Sequence, residues 1–325
     1  MITEYENQYM AILKEIYKNG YTDGTNERTG LTTKRLPCVS IRVDVEKEFP
    51  ILKSKQVFAK TAEREVLWIW QKMSNNIHDL KGKIWDEWAD EKGSIGKAYG
   101  YQMAKPVVIN EGHWDAPNYR VYSNQTAFVL DYLKEFPNGR HAKTTLWNVA
   151  ELKDMNLVPC VHSTDWNLDG GRLNLVLQQR SGDMPYGVPF NTTQYAMLQC
   201  MFAREIGVKP GILLHCIADA HIYANQMDGV KKQIQRYNMM QCVENIPEDG
   251  MVKGFRNQLE YAREAISPDL KDVRELCALL LNVKNAHPEF VIDDNIRSFW
   301  DMNVDNAKMQ GYLHLGKIDF GDIAV

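Results

Sequence analysis

The stretch LVPCVHSTDW, residues 157–166, places a cysteine directly after a proline and a histidine two residues further on. Cys160 could act as a nucleophile, bind a metal ion, or fill a core as a small apolar residue. A nucleophile of the cysteine-protease type needs a histidine placed as base and an oxyanion hole. His162 and His221 could supply the base, but the flanking residues match none of the local signatures of those families. The stretch alone leaves the role of Cys160 open.

A second polar group follows in QQRSGDMPYGVPFN, residues 178–191. It comes directly after an apolar strand pattern and sets Arg180, Ser181, Asp183 and Asn191 among glycines and prolines. An arginine with a hydroxyl suits a phosphate, and an asparagine offers a paired donor and acceptor for the edge of a base. The same composition is typical of a polar surface turn. Both interpretations fit these residues.

Three further features could contribute to a site. In DAHIY, the residues Asp219, His221 and Tyr223 alternate, so a strand would point them to one face. Glu65 interrupts an apolar helical stripe, where it could be a general acid–base group of raised pKa or a side chain that reaches solvent. The tryptophans of IWDEWAD could stack on a flat ring or fill a core.

The hydrophobic pattern predicts the elements that hold these residues. Helices are predicted in NQYMAILKEIYKNG, FAKTAEREVLWIWQKMSNN, SNQTAFVLDYLKEF, NTTQYAMLQCMFAREIG and much of residues 237–287. Strands are predicted in CVSIRVDV, GRHAKTTLWN, GRLNLVLQQRS and GILLHCIADAHIY. For the helix after the polar group, Asn191 or Thr192 is the predicted N-cap and Gly207 the predicted stop. Strands and helices mix without regular alternation, which favours a single α+β domain over a doubly wound sheet.

Composition argues against several classes of protein. The 325 residues are 44% hydrophobic and 25% charged with a net charge of -4, so bulk charge does not favour nucleic-acid or membrane binding. The N-terminal stretch lacks the apolar core of a signal peptide, and no window is apolar enough to span a bilayer, so a cytosolic location is expected. The six cysteines are scattered, which predicts neither a disulfide framework nor a metal site.

Taken together, the motifs resemble those of the thymidylate synthase family, and they stand in the same order. VPCV at Cys160, RS at Arg180, GVPFN and DAHIY match the signature core of that family. RTG at Arg28, EVLWIW at Glu65, IWDEWADEKGSIGKAYG and LWNVAEL precede this core. The end of the chain, GYLHLGKIDFGDIAV, is similar to the family's closing segment.

The resemblance spans nearly the whole chain and predicts one domain over residues 1–325. It fails at residues 102–122 and 237–287, and the second range is interpreted as an inserted helical segment that is atypical of the family. The resemblance implies an α+β fold with a mixed, twisted central sheet flanked by helices. It also implies a homodimer formed through the face of that sheet.

The resemblance further implies a reaction. The family methylates dUMP with methylene-tetrahydrofolate, a co-substrate that gives both the carbon and a hydride and leaves as dihydrofolate; no metal is involved. Carbon five of uracil is a poor nucleophile, and addition of a thiolate to carbon six makes it electron-rich. A cysteine suits this step because a thiol reaches its anionic form near neutral pH far more readily than a serine hydroxyl does.

Catalytic roles follow from the matched positions. Cys160 matches the nucleophile, Glu65 the carboxylate that manages protons at the base, and Tyr99 the tyrosine linked to loss of the carbon-five proton. Arg180 matches the arginine that favours the thiolate and binds phosphate, and Asn191 matches the residue that reads the base. Asparagine at this position indicates uracil, because the dCMP enzymes of this fold carry an aspartate there.

Two sets of binding residues are implied in the same way. For dUMP the resemblance implies Arg28, Arg180, Ser181, Gly182, Asp183, Asn191, His221 and Tyr223, together with Arg140 and His141 that reach the phosphate site of the partner subunit. For folate it implies Lys55, Ile84, Trp85, Trp88, Asp183 and Gly187, with Ala324 and Val325 closing as a lid. The sequence departs from the family at His141, where a second arginine is usual, and at Gln226, where a histidine is frequent.

Two alternative functions share many of these residues. A dUMP or dCMP hydroxymethylase has the same fold, thiolate and folate, but lets water quench the exocyclic methylene. Trp85 and a closing tail, which would exclude water, favour the synthase. A non-catalytic nucleotide- or RNA-binding relative is the other alternative, and the complete catalytic set argues against it.

Overall fold

The structure is a computed structural model that describes residues 1–25, 29–243 and 253–322. The helices are α1 Glu4–Asn19, α2 Ala59–Trp70, α3 Gly100–Met103, α4 Gln125–Glu135, α5 Gly187–Ile206, α6 Met227–Cys242, α7 Lys253–Ala265 and α8 Val273–Asn285. The strands are β1 Tyr21–Thr22, β2 Thr33–Asp44, β3 Val107–Asn110, β4 Tyr119–Tyr122, β5 Lys143–Thr145, β6 Val161–Asp169, β7 Arg172–Gln179, β8 Gly182–Asp183, β9 Lys209–Tyr223, β10 Glu289–Ile292 and β11 Ala307–Gln310. In these ranges, no helix combines the length and apolarity needed to cross a membrane.

A mixed sheet of seven strands lies at the centre of the described part of the chain. Its order is β1-β2-β9-β7-β6-β5, with β8 beside β9. The long strand β9 runs antiparallel to β2 and parallel to β7. The strands predicted from CVSIRVDV, GRHAKTTLWN, GRLNLVLQQRS and GILLHCIADAHIY are all present. Together with the surrounding helices, this mixed sheet confirms the predicted α+β class.

Helices α1 and α5 pack on one face of the sheet, and α2 packs on α5. Leu173, Leu175 and Leu177 alternate along β7 and are buried beneath this layer, as their spacing predicts. The alternation arises because successive side chains of a strand point to opposite faces. This buried face is what holds α5 in place above the strands.

An aromatic cluster joins α2 to α5. The ring of Trp70 meets Tyr195 and Phe202 edge to face, at centroid distances of 6.0 and 5.8 Å. Edge-to-face aromatic pairs contribute roughly 0.5–1.5 kcal/mol each beyond the burial of their surface. The cluster therefore fixes the two helices that carry Glu65 and Asn191 relative to each other.

The start of α5 differs from the sequence-based prediction. The helix begins at Gly187, so Asn191 and Thr192 lie inside it, and the prediction that one of them is the N-cap is wrong. Pro189 does not prevent the earlier start, because the first N–H groups of a helix have no intrahelical partner to lose. The predicted stop is confirmed, since Gly207 takes the left-handed conformation with φ 82°.

Arg236 of α6 fastens the C-terminal helices to the rest of the domain. Its guanidinium is buried and donates hydrogen bonds to the carbonyls of Gly316 at 2.9 Å and Lys317 at 3.2 Å. It also donates to the carbonyls of Ser54 and Ala265. Burial lowers the pKa of Arg236 to about 10. A buried cation needs such partners, so one side chain ties α6, the end of α7 and two loop segments together.

The segment predicted to be helical, residues 237–287, contains α7, α8 and the end of α6 among its described residues. Helix α6 begins earlier than that range, at Met227. The segment IWDEWADEKGSIGKAYG contains a single 3-10 turn, Asp86–Trp88, before α3. Strands β10 and β11 pair antiparallel after α8.

Candidate active site

Cys160 ends the loop that leads into β6 and is partly exposed. Its backbone N–H donates a hydrogen bond to the hydroxyl of Tyr99 at 3.1 Å, and its carbonyl accepts one from the N–H of Arg180 at 2.9 Å. The cysteine is therefore held through its backbone by two other predicted site residues. All six cysteines lie in the described part of the chain, and no disulfide forms among them.

Arg180 is fixed against the same loop. Its Nε donates to the carbonyl of Pro159 at 3.0 Å and its Nη2 to that of Val158 at 2.8 Å. The guanidinium carbon lies 5.9 Å from the ring centre of Trp147. A guanidinium has five N–H donors, so these two bonds leave donors for a ligand. The guanidinium of Arg180 therefore places a positive charge beside the two residues that precede Cys160 in the chain.

Glu65 lies on α2 and is 6% exposed. Burial raises its pKa to about 7, and hydrogen bonds from the side chains of Gln194 and Trp85 oppose part of that rise. The sequence left open whether this side chain is a buried acid–base group or reaches solvent. The second interpretation is therefore wrong. A carboxyl group with a pKa near neutrality can both give and accept a proton at working pH.

Tyr99 links Cys160 to Glu65. Its ring is buried and lies edge to face with Trp85, with the ring centres 5.0 Å apart. Burial raises the pKa of Tyr99 well above 10, and the nearby Cys160 and Glu65 contribute to the rise. The backbone of Tyr99 has φ 42°, a region that non-glycine residues rarely occupy and that occurs at functional sites.

The next residue explains how this backbone is accommodated. A Cβ atom on Gly100 would lie 2.0 Å from the carbonyl oxygen of Ser74. Only glycine permits such a close approach. The contact of Gly100 with the segment after α2 therefore fixes the position of Tyr99, the residue directly before α3.

Asn191 lies in the second turn of α5 and is partly exposed. Its Nδ2 faces the Oε1 of Gln194 at 3.5 Å, a long hydrogen bond. Gln194 is buried and also faces Glu65. The amide of Asn191 is thus joined to the carboxyl group through one intervening side chain. Sequence reasoning did not single out Gln194, although its place one turn after Asn191 on the same helix is a usable signal.

The residues Ser181, Gly182 and Asp183 follow β7 in one short segment. Gly182 and Asp183 form β8, which pairs with Ala220 and His221 of β9. A Cβ atom on Gly182 would lie 2.8 Å from side-chain atoms of both Ile217 and Val188, so the position suits only glycine. The segment is held close against β9, which brings the loop predicted to bind an anion beside DAHIY.

Asp183 accepts hydrogen bonds on both carboxylate oxygens. Oδ1 accepts from the N–H of Tyr186 at 3.2 Å, and Oδ2 accepts from the Nε2 of Gln226 at 2.9 Å. Burial raises the pKa of Asp183, and the charges of His221 and Lys55 with the hydrogen bonds oppose the rise.

DAHIY forms the end of β9, and its alternate residues share one region as predicted. The rings of His221 and Tyr223 are 5.0 Å apart at 85°. His221 is 5% exposed, and its Nδ1 lies 3.3 Å from the carbonyl oxygen of Asp219. The carboxylate of Asp219 accepts from the Nε of Arg35 at 3.1 Å. Arg35, which the sequence patterns did not single out, also pairs with Asp23.

Lys55 is buried and points its ammonium group at the carbonyl of Pro185. Burial lowers its pKa to about 8, and Asp183 opposes the fall. The ammonium group lies 5.0 Å from the ring centre of Phe320. A small cavity of about 80 Å³ opens here, lined by Lys55, Gln56, Val57, Phe58, Tyr186, Pro189, Phe190, Lys317, Ile318 and Phe320.

The residues predicted to hold a flat ring form a wall beside Tyr99. Trp85 is buried, and its ring lies 5.5 Å from that of Trp88. The indole N–H of Trp88 is buried and has no hydrogen-bond partner among the described residues. Ile84 is 37% exposed. Gly187, at the start of α5, lies between Asp183 and Asn191, both within ordinary contact of a Cβ built there.

Arg140 and His141 lie apart from this group, in an exposed segment between α4 and β5. The ring of His141 packs beside Tyr132 at 5.9 Å. Arg28, Ala324 and Val325 fall outside the described residues. The closing segment can be followed as far as Asp322, whose carbonyl accepts a hydrogen bond from Asn225 at 2.9 Å.

Comparison with known proteins identifies the family. A family model described as thymidylate synthase matches residues 7–256. The thymidylate synthase of Clostridium beijerinckii is 42% identical over 237 residues, which are 72% of this chain and 83% of that protein. The thymidylate synthase of Bacillus mojavensis is 33% identical over 334 aligned positions that cover 100% of both chains. The solved structure of thermostable thymidylate synthase A from Bacillus subtilis matches with a TM-score of 0.75 at 32% identity, covering 99% of this chain and 100% of that one. The chain belongs to the thymidylate synthase family.

Proposed function

We propose that this protein is a thymidylate synthase, a methyltransferase that converts dUMP and methylene-tetrahydrofolate to dTMP and dihydrofolate. The hydrogen bond from the N–H of Cys160 to the hydroxyl of Tyr99, at 3.1 Å, carries the proposal most directly. It joins the proposed nucleophile to the tyrosine that is linked to loss of the carbon-five proton. Glu65 lies near Tyr99, and the N–H of Arg180 donates a hydrogen bond to the carbonyl of Cys160.

In the proposed reaction the thiolate of Cys160 adds to carbon six of uracil. The ring electrons move toward the carbonyl oxygen at carbon four, and carbon five attacks the methylene carbon of the folate. After loss of the carbon-five proton and of the folate amine, a hydride from tetrahydrofolate reduces the exocyclic methylene. The carbon–sulfur bond then breaks and returns the thiolate. Arg180 supplies positive charge beside the sulfur, which supports its anionic form.

Glu65 and Tyr99 are proposed to handle protons. The carboxyl group of Glu65, with a pKa of about 7, is suited to protonate the carbonyl oxygen of the base and to take the proton back. Tyr99, whose pKa is well above 10, stays a neutral phenol at working pH. Its oxygen can accept a hydrogen bond while its O–H orients a water toward carbon five.

Asn191 is proposed to read the base. Its amide can donate to the carbonyl at carbon four of uracil and accept from the N–H at position three. Cytosine presents an amino group and a bare nitrogen at these places, so it would meet donor against donor and acceptor against acceptor. Asn191 lies one turn before Gln194 on α5, and Gln194 in turn faces Glu65 of α2. This chain of contacts supports a role for Asn191 beside the base.

The phosphate site is proposed to draw on both subunits of a homodimer. Arg180 and Ser181 of one chain, with Arg28, would be joined by Arg140 and His141 of the partner subunit. The exposed position of those two residues on a single chain supports this. So does the outer face of the sheet, where Ile212, Leu214, Cys216 and Val176 are partly exposed on the side away from α5. An apolar sheet face of this kind suits a two-fold partner.

His221 and Tyr223 are proposed to bind the sugar of dUMP, with Gly182 and Asp183 in the adjoining segment. Their rings lie together at the end of β9, next to that segment. A sugar hydroxyl both donates and accepts hydrogen bonds, which an imidazole and a phenol can match.

The folate is proposed to lie over the base against Ile84, Trp85 and Trp88, with Asp183 on the pterin and Gly187 beneath. The buried, unpartnered indole N–H of Trp88, within the described residues, fits a polar group of such a ligand. The cavity at Lys55 and Phe58 fits an aromatic body that carries a carboxylate. Ala324 and Val325 are proposed to close over the bound pair.

We also propose a cytoplasmic location and one domain over residues 1–325. The segment 237–287 is proposed to be an insertion relative to the commoner short form of the family. Arg236, directly before this segment, donates to the carbonyl of Ala265 within it and to those of Ser54 and Gly316 outside it, which supports one folding unit.

Identifying the products from dUMP and methylene-tetrahydrofolate tests the function. We expect dTMP and dihydrofolate in equal amounts, measured by chromatography and by the absorbance change of the folate. Hydroxymethyl-dUMP with tetrahydrofolate would establish the hydroxymethylase instead. Parallel reactions with dCMP and with the Cys160→Ser variant control for base choice and for uncatalysed chemistry.

A further inference from the structure

Gln226 connects the proposed sugar-binding residues to the proposed folate-binding residues. It is fully buried at the end of the 3-10 turn Ala224–Gln226, directly before α6. Its Oε1 accepts the backbone N–H of Tyr223 at 2.9 Å, and its Nε2 donates to Oδ2 of Asp183 at 2.9 Å. One amide therefore spans from the proposed sugar contact to the proposed pterin contact.

The chemistry of the partners fixes the orientation of this amide. A backbone N–H can only donate, so it faces the carbonyl oxygen of Gln226, and an ionised carboxylate can only accept, so it faces the amide nitrogen. Flipping the amide would set donor against donor and acceptor against acceptor. Both bonds are thus made in one conformation of the side chain.

The two hydrogen bonds that Asp183 accepts have different structural effects. The N–H of Tyr186 is three residues away and fixes the turn that Asp183 begins. Gln226 lies in the turn that follows β9, 43 residues along the chain from Asp183, and it fixes the carboxylate relative to the end of that strand. The titratable groups that face Asp183 are His221 of β9 and Lys55 of the loop before α2, and the Tyr9 hydroxyl lies near it as well.

On the basis of the proposed function, we propose that Gln226 is a positioning residue that sets the placement of the folate-binding carboxylate of Asp183 relative to the sugar-binding end of β9. It touches neither substrate in this role. Its loss should therefore damage the ternary complex more than the binary complex with nucleotide.

Substitutions at this position separate the two hydrogen bonds. Gln226→Glu has nearly the same shape and keeps an acceptor for the N–H of Tyr223, but it replaces the donor to Asp183 with a second carboxylate. Gln226→Met removes both bonds. A neutral histidine has one donor and one acceptor, so Gln226→His can restore both, and histidine is frequent here in the family.

The test measures steady-state kinetics with both substrates varied, together with the binary affinity for dUMP by calorimetry. For Gln226→Glu we expect KM for methylene-tetrahydrofolate to rise about ten- to a hundredfold, the range expected for loss of a hydrogen bond to a charged group. The dissociation constant of dUMP should change by less than about threefold on the same grounds, since the Tyr223 bond survives. Gln226→His should return KM to near the wild-type value.

Gln233→Glu is the matched control, because Gln233 is also fully buried and lies two turns later on α6, with its amide facing Ser54. Urea unfolding of each variant separates loss of stability from loss of placement. If Gln226→Glu does not fold, Gln226→Met serves instead. For that variant we expect both the KM for the folate and the dissociation constant of dUMP to rise.

Two outcomes overturn the inference alone. One is an unchanged KM for the folate in a folded Gln226 variant, and the other is an equal rise in Gln233→Glu. Absence of dTMP formation by the wild-type protein would instead overturn the proposed function, and this inference with it.

Discussion

The hydroxyl of Tyr99 accepts a hydrogen bond from the backbone N–H of Cys160, and the two residues are 61 positions apart in the chain. The bond is made by the backbone of Cys160 and fixes the part of the chain that carries the sulfur. The φ of 42° at Tyr99 and the close approach of Gly100 to Ser74 hold the phenol in this place. A distant strained turn thus sets the position of the proposed nucleophile.

Replacement of Cys160 by serine tests the covalent step. A serine hydroxyl remains protonated near neutral pH, so it cannot add to carbon six. We expect turnover to fall by at least about a thousandfold, as for loss of other enzyme nucleophiles, while dUMP binding persists in calorimetry. Cys242→Ser, at an exposed cysteine at the end of α6, should leave turnover unchanged. Turnover of Cys160→Ser near the wild-type rate would rule out the covalent role.

The fluorinated nucleotide FdUMP extends this test to the intermediate itself. Fluorine at carbon five cannot leave as a proton does, so the thioether to Cys160 should persist once the folate has joined. Mass spectrometry of the digested protein should find the adduct on the peptide that bears Cys160, and only when folate is present. An adduct on another cysteine, or none, would contradict the assignment.

The sequence predicted those parts of the fold and site that depend on local pattern. Period-two leucines predicted β7, and a glycine predicted the end of α5. The spacing of Cys160 and Arg180 has a simple structural reason, because Cys160 directly precedes β6 and Arg180 directly follows the paired strand β7. Because β6 and β7 are antiparallel and joined by a turn, the start of β6 and the end of β7 lie at the same end of the strand pair.

Residues that act through distant partners were not predicted. Gln194 is a common residue type with no motif around it, and Gln226 was noted only as a departure from the family's frequent histidine. The importance of both arises from contacts with Glu65 and Asp183 across the fold. Arg35 gains its role from pairing with Asp219 in the neighbouring strand. The start of α5 was placed too late because Asn191 and Thr192 are residue types that often cap helices, although here they lie inside one. Such features are set by tertiary packing, which a local pattern does not contain.

Glu65→Gln tests the proton-handling role. The amide keeps the shape of the carboxyl group but neither gives nor takes a proton. We expect kcat to fall about a hundredfold or more, and the step near pH 7 that Glu65 contributes to the pH–rate profile to disappear. Glu63→Gln is the matched control: Glu63 lies on the same helix, is also buried and has a pKa raised by burial to about 8. An unchanged rate and profile in Glu65→Gln would exclude the role.

The same two variants predict a change in stability. Because the pKa of Glu65 is higher in the folded protein, the folded state holds a proton between pH 4.5 and about 7 that the unfolded chain releases. Stability is therefore lost as the pH rises through this window, by up to about 3 kcal/mol above it. We expect Glu65→Gln to unfold at higher urea than the wild type at pH 8 and at similar urea near pH 4. Glu63→Gln should also increase the free energy of unfolding at pH 8. A decrease in the free energy of unfolding at pH 8 in both variants would contradict the argument.

Asn191→Asp tests the reading of the base. An ionised aspartate has two acceptors and no donor, so it repels the carbonyl at carbon four of uracil and can accept from the amino group of cytosine. We expect kcat/KM for dUMP to fall by at least about a hundredfold and the ratio of dCMP to dUMP turnover to rise. Asn124→Asp, at the N-cap of α4 where aspartate caps equally well, should leave the ratio unchanged. An unaltered ratio in Asn191→Asp would assign base reading to another residue.

Hybrid dimers test whether Arg140 acts across the subunit boundary. Alone, Cys160→Ser lacks the nucleophile and Arg140→Ala lacks the phosphate contact, so each should be nearly inactive as a homodimer. After mixing, unfolding and refolding, half of the dimers should be hybrids, and each hybrid should contain one site with Cys160 from one chain and Arg140 from the other. Activity should therefore return to about a quarter of the wild-type value, as random two-fold assembly requires. If Arg140 instead served the site of its own subunit, every site in a hybrid would still lack one of the two residues. A mixture that stays inactive, although native mass spectrometry detects hybrids, would therefore place Arg140 in its own subunit's site.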